Sequence, residues 1–125
     1  MTLAEIERLA KRFFDAIEAG DVAAVAACYA DDAVIWHNTD GLANTRAENV
    51  VTLSNFIRHI PERRYLDRRL TAYPGGFVQQ HRLEGRRRDG KVVELTACIV
   101  CAVANGVITR LDEYFDAAQV EAWSR

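Results

Sequence analysis

Apolar residues recur at spacings of three and four over residues 3 to 19, "LAEIERLAKRFFDAIEA", with Leu3, Ile6, Leu9, Phe13 and Ile17 falling on one stripe. That period predicts an amphipathic helix. Thr2 and Glu5 supply a capping box ahead of it, and Gly20 stops it. Asp21 then caps a shorter helix, "VAAVAACYA", whose alanines suit close packing. Residues 32 to 38 have the β-branched and aromatic content of a strand, ended by "NTDG". A third helix over 46–60 presents Val50, Leu53, Phe56, Ile57 and Ile60 on one side before Pro61 blocks its continuation.

Beyond Pro61 the character changes. Stretches 64–73, 77–87, 91–104 and 107–115 read as strands joined by Pro74-Gly75-Gly76, Asp89-Gly90 and Asn105-Gly106, and the last two pairs are strong hairpin signals. The tail "DAAQVEAW" reads as a final helical turn. Helices first and a four-strand meander afterwards predict one α+β domain over 1–125, with N-terminal helices packed on a curved, mostly antiparallel sheet. A long helix laid across a bent sheet leaves a cone, and a cone is a pocket. The strand at 92–104 is apolar on both faces while the helices cover only one, so a homodimer through the outer sheet face is expected.

Composition narrows the class. With 50% hydrophobic and 27% charged residues the chain is too balanced for disorder. Fourteen of the sixteen basic residues are arginine, but the clusters at 62–64, 68–69 and 86–88 alternate with acids near turns, so they read as a solvated face and no nucleic-acid partner is expected. No cationic leader with an apolar stretch occurs, and no run approaches the ~20 apolar residues of a membrane span. A cytoplasmic protein without a membrane partner is therefore expected. Three cysteines argue against a disulfide framework. Cys98 and Cys101 form a C-x-x-C, but three residues apart on a strand they point to opposite faces. Neither an H-E-x-x-H pattern nor a glycine-rich phosphate loop is present, so no metal and no nucleotide cofactor is expected.

The order of elements, with "EAGDVAAVAACYADDAV" and the closing "GVITRLDEYFD", resembles the nuclear transport factor 2-like superfamily, in particular its SnoaL-like and ketosteroid isomerase-like members. The likeness spans nearly the whole chain. It implies a cone-shaped fold that hosts isomerases, cyclases, hydrolases and non-catalytic binders alike. Counted from Gly20 without a gap, His37 falls where a ketosteroid isomerase carries its proton-shuttling aspartate, and Phe13 where that enzyme has a tyrosine hydroxyl. The ending "LDEYFD" is similar to that of limonene epoxide hydrolase, which places Glu113 on a catalytic aspartate and His81 near its arginine partner, while Leu83 replaces a further aspartate.

Strand alternation reads the same residues independently. Ala33, Ile35 and His37 share one face of the first strand, with Val34, Trp36 and Asn38 on the other. Leu111, Glu113 and Phe115 oppose Arg110, Asp112 and Tyr114 on the last strand, and His81 shares parity with Phe77, Gln79 and Leu83. The expected site therefore joins His37, Glu113 and His81 as catalytic groups with Phe13, Ile35, Leu53, Phe56 and Gln79 around a small hydrophobic molecule. A bulge or one-residue register shift would bring in Trp36, Asn38 and Asp112. An imidazole and a carboxylate within hydrogen-bond reach suit acid/base chemistry such as isomerisation, cyclisation or hydrolysis. The alternative from the same residues is a non-catalytic ligand-binding or dimerisation module, favoured by the hydrocarbon of Phe13 and Leu83.

Overall fold

The structure is a computed structural model, and it describes residues 1–124. Helix α1 spans Leu3–Ala19, with the Thr2 hydroxyl accepting from the Glu5 amide at 3.1 Å. Its stripe of Ile6, Leu9, Ala10, Phe13, Phe14, Ala16 and Ile17 is buried, whereas Leu3, at the first turn, is 48% exposed. Gly20 ends the helix in the left-handed region at φ 72°, where a side chain would be strained. Helix α2, Val22–Ala27, starts on the Asp21 cap and is shorter than its alanines suggested. The chain leaves it at Cys28, because Tyr29 already pairs with Ile108 across the sheet.

Strand β1 is accordingly Tyr29–His37, three residues longer at its start than the apolar run alone implied. A short β2, Ala43–Thr45, folds back antiparallel on it and was not legible in so polar a stretch. Thr45 then begins α3, Arg46–His59, with a full reciprocal capping box: Glu48 N donates to Thr45 Oγ1 and Thr45 N to Glu48 Oε1. Four longer strands follow, β3 Glu62–Tyr73, β4 Gly76–Arg86, β5 Val92–Ala104 and β6 Val107–Phe115. The β5–β6 turn has Asn105 and Gly106 both at positive φ, as an Asn-Gly hairpin requires. A four-residue helix α4, Ala117–Val120, and a single 3₁₀ turn, Glu121–Trp123, complete the described chain.

The six strands lie in the order β2-β1-β6-β5-β4-β3, antiparallel except for the β1–β6 pair, which is parallel. Sheet and helices form one α+β layer pair, with α1 packed mainly on β3 and α3 on β1. The core between them is built around Phe14, whose ring makes edge contacts with Phe13, Tyr65, Phe77 and His81. A buried arginine helps to hold the helical layer to the sheet. Arg63, on β3, donates from Nε to Ile17 O (2.9 Å), from Nη2 to Glu18 O (3.1 Å) and from Nη1 to Ile60 O. The last turn of α1 has no basic residue of its own, and this guanidinium serves carbonyls there, sharing Ile17 O with the Gly20 amide. No helix among the described residues is long and apolar enough to cross a membrane.

Candidate functional site

His37 and Glu113 face each other because β1 and β6 run parallel in register, His37 opposite Glu113 and Trp36 opposite Asp112. The His37 imidazole Nε2 lies 3.2 Å from Glu113 Oε1, with the two side chains 19% and 18% exposed. Ile99 pairs with Glu113 on the other side and is buried, so the carboxylate sits on an apolar row. The hydrogen bond to Glu113 raises the His37 pKa above its ordinary 6.5, against the opposing effect of burial. Asp40, in the turn after β1, adds to the rise.

Both residues line a cavity of about 430 Å³ under the curved sheet. Its hydrocarbon comes from Phe13 and Ile17 of α1, Ile35 of β1, Leu53 and Phe56 of α3, Leu83 of β4, Leu95 and Ile99 of β5, and Leu111 of β6. Thr39, Asp40, Asn44, Asn49 and Thr52 add a polar margin from β2, its approach and α3. The far wall is closed by the C-terminal segment, from which Val120 and Trp123 reach the cavity. Trp123 can lie there because residue 85 is glycine: a Cβ at Gly85 would stand 2.5 Å from the indole and 2.8 Å from Ile60. The indole Nε1 donates to Glu94 O at 3.2 Å, and Gln119 Oε1 accepts from Thr96 N at 2.7 Å.

The structure therefore brings together His37, Glu113, Phe13, Ile35, Leu53 and Phe56. It places the other candidates elsewhere. His81 is buried behind the wall, between the rings of Phe14 and Tyr65 and at 2.9 Å from Gln79 Nε2, and neither it nor Gln79 lines the cavity. Asn38 is occupied at the strand end, donating to Phe115 O and accepting from Phe115 N, each at 3.1 Å. Trp36 stacks edge-on with Tyr114 on the opposite sheet face, and Asp112 pairs with Arg110 there at 3.0 Å. No bulge interrupts β1 between Val34 and His37, which is why Trp36, Asn38 and Asp112 stay outside.

Two of the cavity residues that sequence reasoning missed are tyrosines. Tyr29 lay in a stretch read as helix, and Tyr65 lies on the cavity side only through the register of β3. Among the described residues no group of three or more His, Cys, Asp or Glu is arranged to hold a metal ion.

Burial drives the His81 pKa down to about 4, well below the 6.5 of an exposed imidazole. Gln79 donates to Nδ1, so the ring carries its proton on Nε2, and that atom has no partner among the described residues. Between pH 6.5 and about 4 the unfolded chain binds a proton that the native chain refuses. Stability present above pH 6.5 is thus lost as pH falls through that window, by up to about 3 kcal/mol. Urea titrations of wild type and His81→Phe across the window check this. The variant is expected to have the flatter acid limb.

A family model described as SnoaL-like domain matches residues 10–111. No curated protein matches the sequence. Among solved structures, a protein from Xanthomonas campestris pv. campestris provisionally named a polyketide cyclase superposes with a TM-score of 0.86 at 20% identity, covering 96% of each chain. An LEH-like epoxide hydrolase from M. tuberculosis gives 0.80 at 20% identity over 96% of this chain and 89% of its own. An NTF2-like protein from Burkholderia xenovorans LB400 gives 0.78 at 18% identity over 100% and 99%. At such identities these likenesses establish the fold, which serves several chemistries.

Proposed function

Since the chain belongs to the SnoaL-like domain family, we propose that it is a small-molecule enzyme using the His37–Glu113 pair for acid/base chemistry on a hydrophobic substrate. The observation that carries this reading is the 3.2 Å contact between imidazole and carboxylate on the wall of a largely hydrocarbon cavity. With Nε2–H donated to Glu113, the ring has Nδ1 left to accept a proton from substrate or from a water. The imidazolium that forms is stabilised by the adjacent carboxylate. The reaction class is isomerisation, cyclisation or hydrolysis, and the neighbours named for polyketide cyclase and epoxide hydrolase activity support screening those chemistries first. Enolisable ketones, lactones and epoxides offered to purified wild type and His37→Ala test the reading. Turnover that depends on His37 supports it, whereas saturable binding without turnover favours the binding-module alternative, for which the hydrocarbon of Phe13 and Leu83 speaks.

We also propose a homodimer formed through the sheet face opposite the cavity, in a cytoplasmic protein. That face carries Trp36, Tyr114, Cys98 and Val100, and Tyr114 is 45% exposed. The free thiols of Cys28, Cys98 and Cys101 suit a reducing compartment. Sedimentation is expected to show a dimer at tens of micromolar, and Trp36→Glu to give a monomer with the same fold. A wild-type monomer at that concentration counts against the interface.

A further inference from the structure

Strand β6 stops at Phe115, opposite Ala97, and so leaves β5 from Val92 to Thr96 without a strand on that side. The segment after β6 serves this open edge with side chains: Gln119 Oε1 accepts from Thr96 N at 2.7 Å, and the Trp123 indole donates to Glu94 O at 3.2 Å. Arg87 adds a bond from Nη1 to Ala122 O at 2.9 Å. Where a longer β6 would extend the sheet, the Trp123 ring stands as an end wall of the cavity.

The seat of that ring is built into β4. Gly85 lies within the strand, where glycine is weakening, and its φ is not in the left-handed region, so the backbone has no need of glycine there. Space is what requires it: a Cβ would meet the indole Cζ3 at 2.5 Å and Cη2 at 2.9 Å, and Ile60 Cγ2 at 2.8 Å. Phe56 of α3 packs on the indole with 5.8 Å between ring centroids. Leu83 and Leu95, paired across β4 and β5, also line the cavity. Trp123 thus stands against β4 and β5, whereas His37 and Glu113 lie on the β1–β6 seam.

We propose that Trp123 determines specificity by limiting how long a ligand the cavity accepts. This rests on the cavity being the ligand site of the proposed function, and it is independent of the proton transfer. A ligand enters with its polar end at the margin of Thr39, Asn44, Asn49 and Thr52 and its hydrocarbon toward the far wall. Each carbon that fits leaves water and tightens binding about fourfold. A carbon that reaches the indole has no room, since the ring is held between Gly85 and Phe56 and its N–H is bonded. The chain must then leave a carbon in water at the margin, or displace the ring and break that bond. Affinity therefore rises with length to a limit and stops rising.

The probes are straight-chain alcohols from hexanol to tetradecanol, each displacing N-phenyl-1-naphthylamine, a neutral dye that brightens in apolar surroundings. Wild-type affinity is expected to climb about fourfold per carbon up to a limit and to climb no further beyond it. Trp123→Ala is expected to move the limit to longer alcohols, to bind the first alcohol past the wild-type limit about tenfold more tightly, and to leave hexanol binding unchanged. Trp123→Phe should place the limit between the two, and His37→Ala should keep that of wild type. A limit that stays put in Trp123→Ala, a wild type with no limit, or a variant that loses affinity equally for every alcohol overturns the proposal, the last result marking a ring that only props the fold. A wild type that binds neither dye nor alcohol overturns it together with the hydrophobic substrate of the proposed function. A limit that moves with Trp123 in a protein that turns over none of the screened compounds upholds the wall and removes the acid/base reading. Should Trp123→Ala fail to fold, Trp123→Phe carries the test: its limit must lie beyond that of wild type, and no shift overturns the assignment.

Discussion

Replacing Glu113 with Gln is expected to lower turnover by ~100-fold or more while leaving the melting temperature near that of wild type, and His37→Ala to do the same. The two side chains are in partial contact with solvent and bond chiefly to each other, so the folded state loses no more than about 1 kcal/mol with either. The pH profile separates base from partner. Because Glu113 raises the His37 pKa above 6.5, wild-type activity should climb with pH through a midpoint above that value, as the imidazole loses its proton. In Glu113→Gln the main raising influence is gone, leaving burial against the smaller effect of Asp40, so the midpoint should move to lower pH even as the plateau falls. The stability linkage has the opposite sense: the ion pair contributes fully below pH 6.5 and is lost as pH rises through the raised folded value. Full activity in both variants, measured on a substrate the wild type turns over, would take the pair out of the mechanism.

The largest loss of stability is expected at Arg63, far from any proton transfer. Its side chain is 7% exposed and its donors satisfy carbonyls of Ile17, Glu18 and Ile60. Arg63→Leu removes a donor from each of those oxygens, of which Ile17 O keeps the Gly20 amide at 3.1 Å, and takes the positive charge from the C-terminal end of α1, at a combined cost of roughly 3 kcal/mol. For a domain of this size that lowers the melting temperature by roughly 10 °C. Arg63→Lys should recover only part of the loss, because an ammonium cannot present the guanidinium's fork to carbonyls on three sides. The site is crowded as well as polar: a Cβ at Gly20 would lie 2.8 Å from Nη2. Calorimetry on both variants tests the point, and a shift under ~2 °C in Arg63→Leu would show that water replaces the missing donors.

The helices and hairpins were legible because each is written in local chemistry. The α1 stripe, the Gly20 stop and the Asn105-Gly106 turn depend on neighbours within a few residues. Parity likewise separates His37 and Glu113 from Trp36 and Asp112, since both strands keep their alternation unbroken there. Tyr65 fails that test for a physical reason. Counted back from the β3–β4 turn, where Ala72 pairs with Phe77, it would oppose Glu84 and face outward. A bulge between Leu66 and Arg69, with Asp67 in the left-handed region at φ 54°, shifts the register by one and puts Tyr65 opposite Leu83 on the cavity side. No local rule placed that bulge at Asp67. Tyr29 was hidden differently: its strand partner, Ile108, lies near the other end of the chain, while the alanines before it favour helix. His81 has the correct parity and still stays off the cavity, because the rings of Phe14 and Tyr65 come between.

The parallel seam between β1 and β6 also orders events in time. Its clasp, Asn38 to Phe115, joins residues 77 positions apart, whereas the hairpins of β3 to β6 close over a few residues each. Closing a long loop costs entropy that short hairpins do not meet, so the meander can form while the seam is still open. His37 and Glu113 become neighbours only when the seam zips. A refolding chain is therefore expected to regain its β3–β6 meander before the contact between His37 and Glu113.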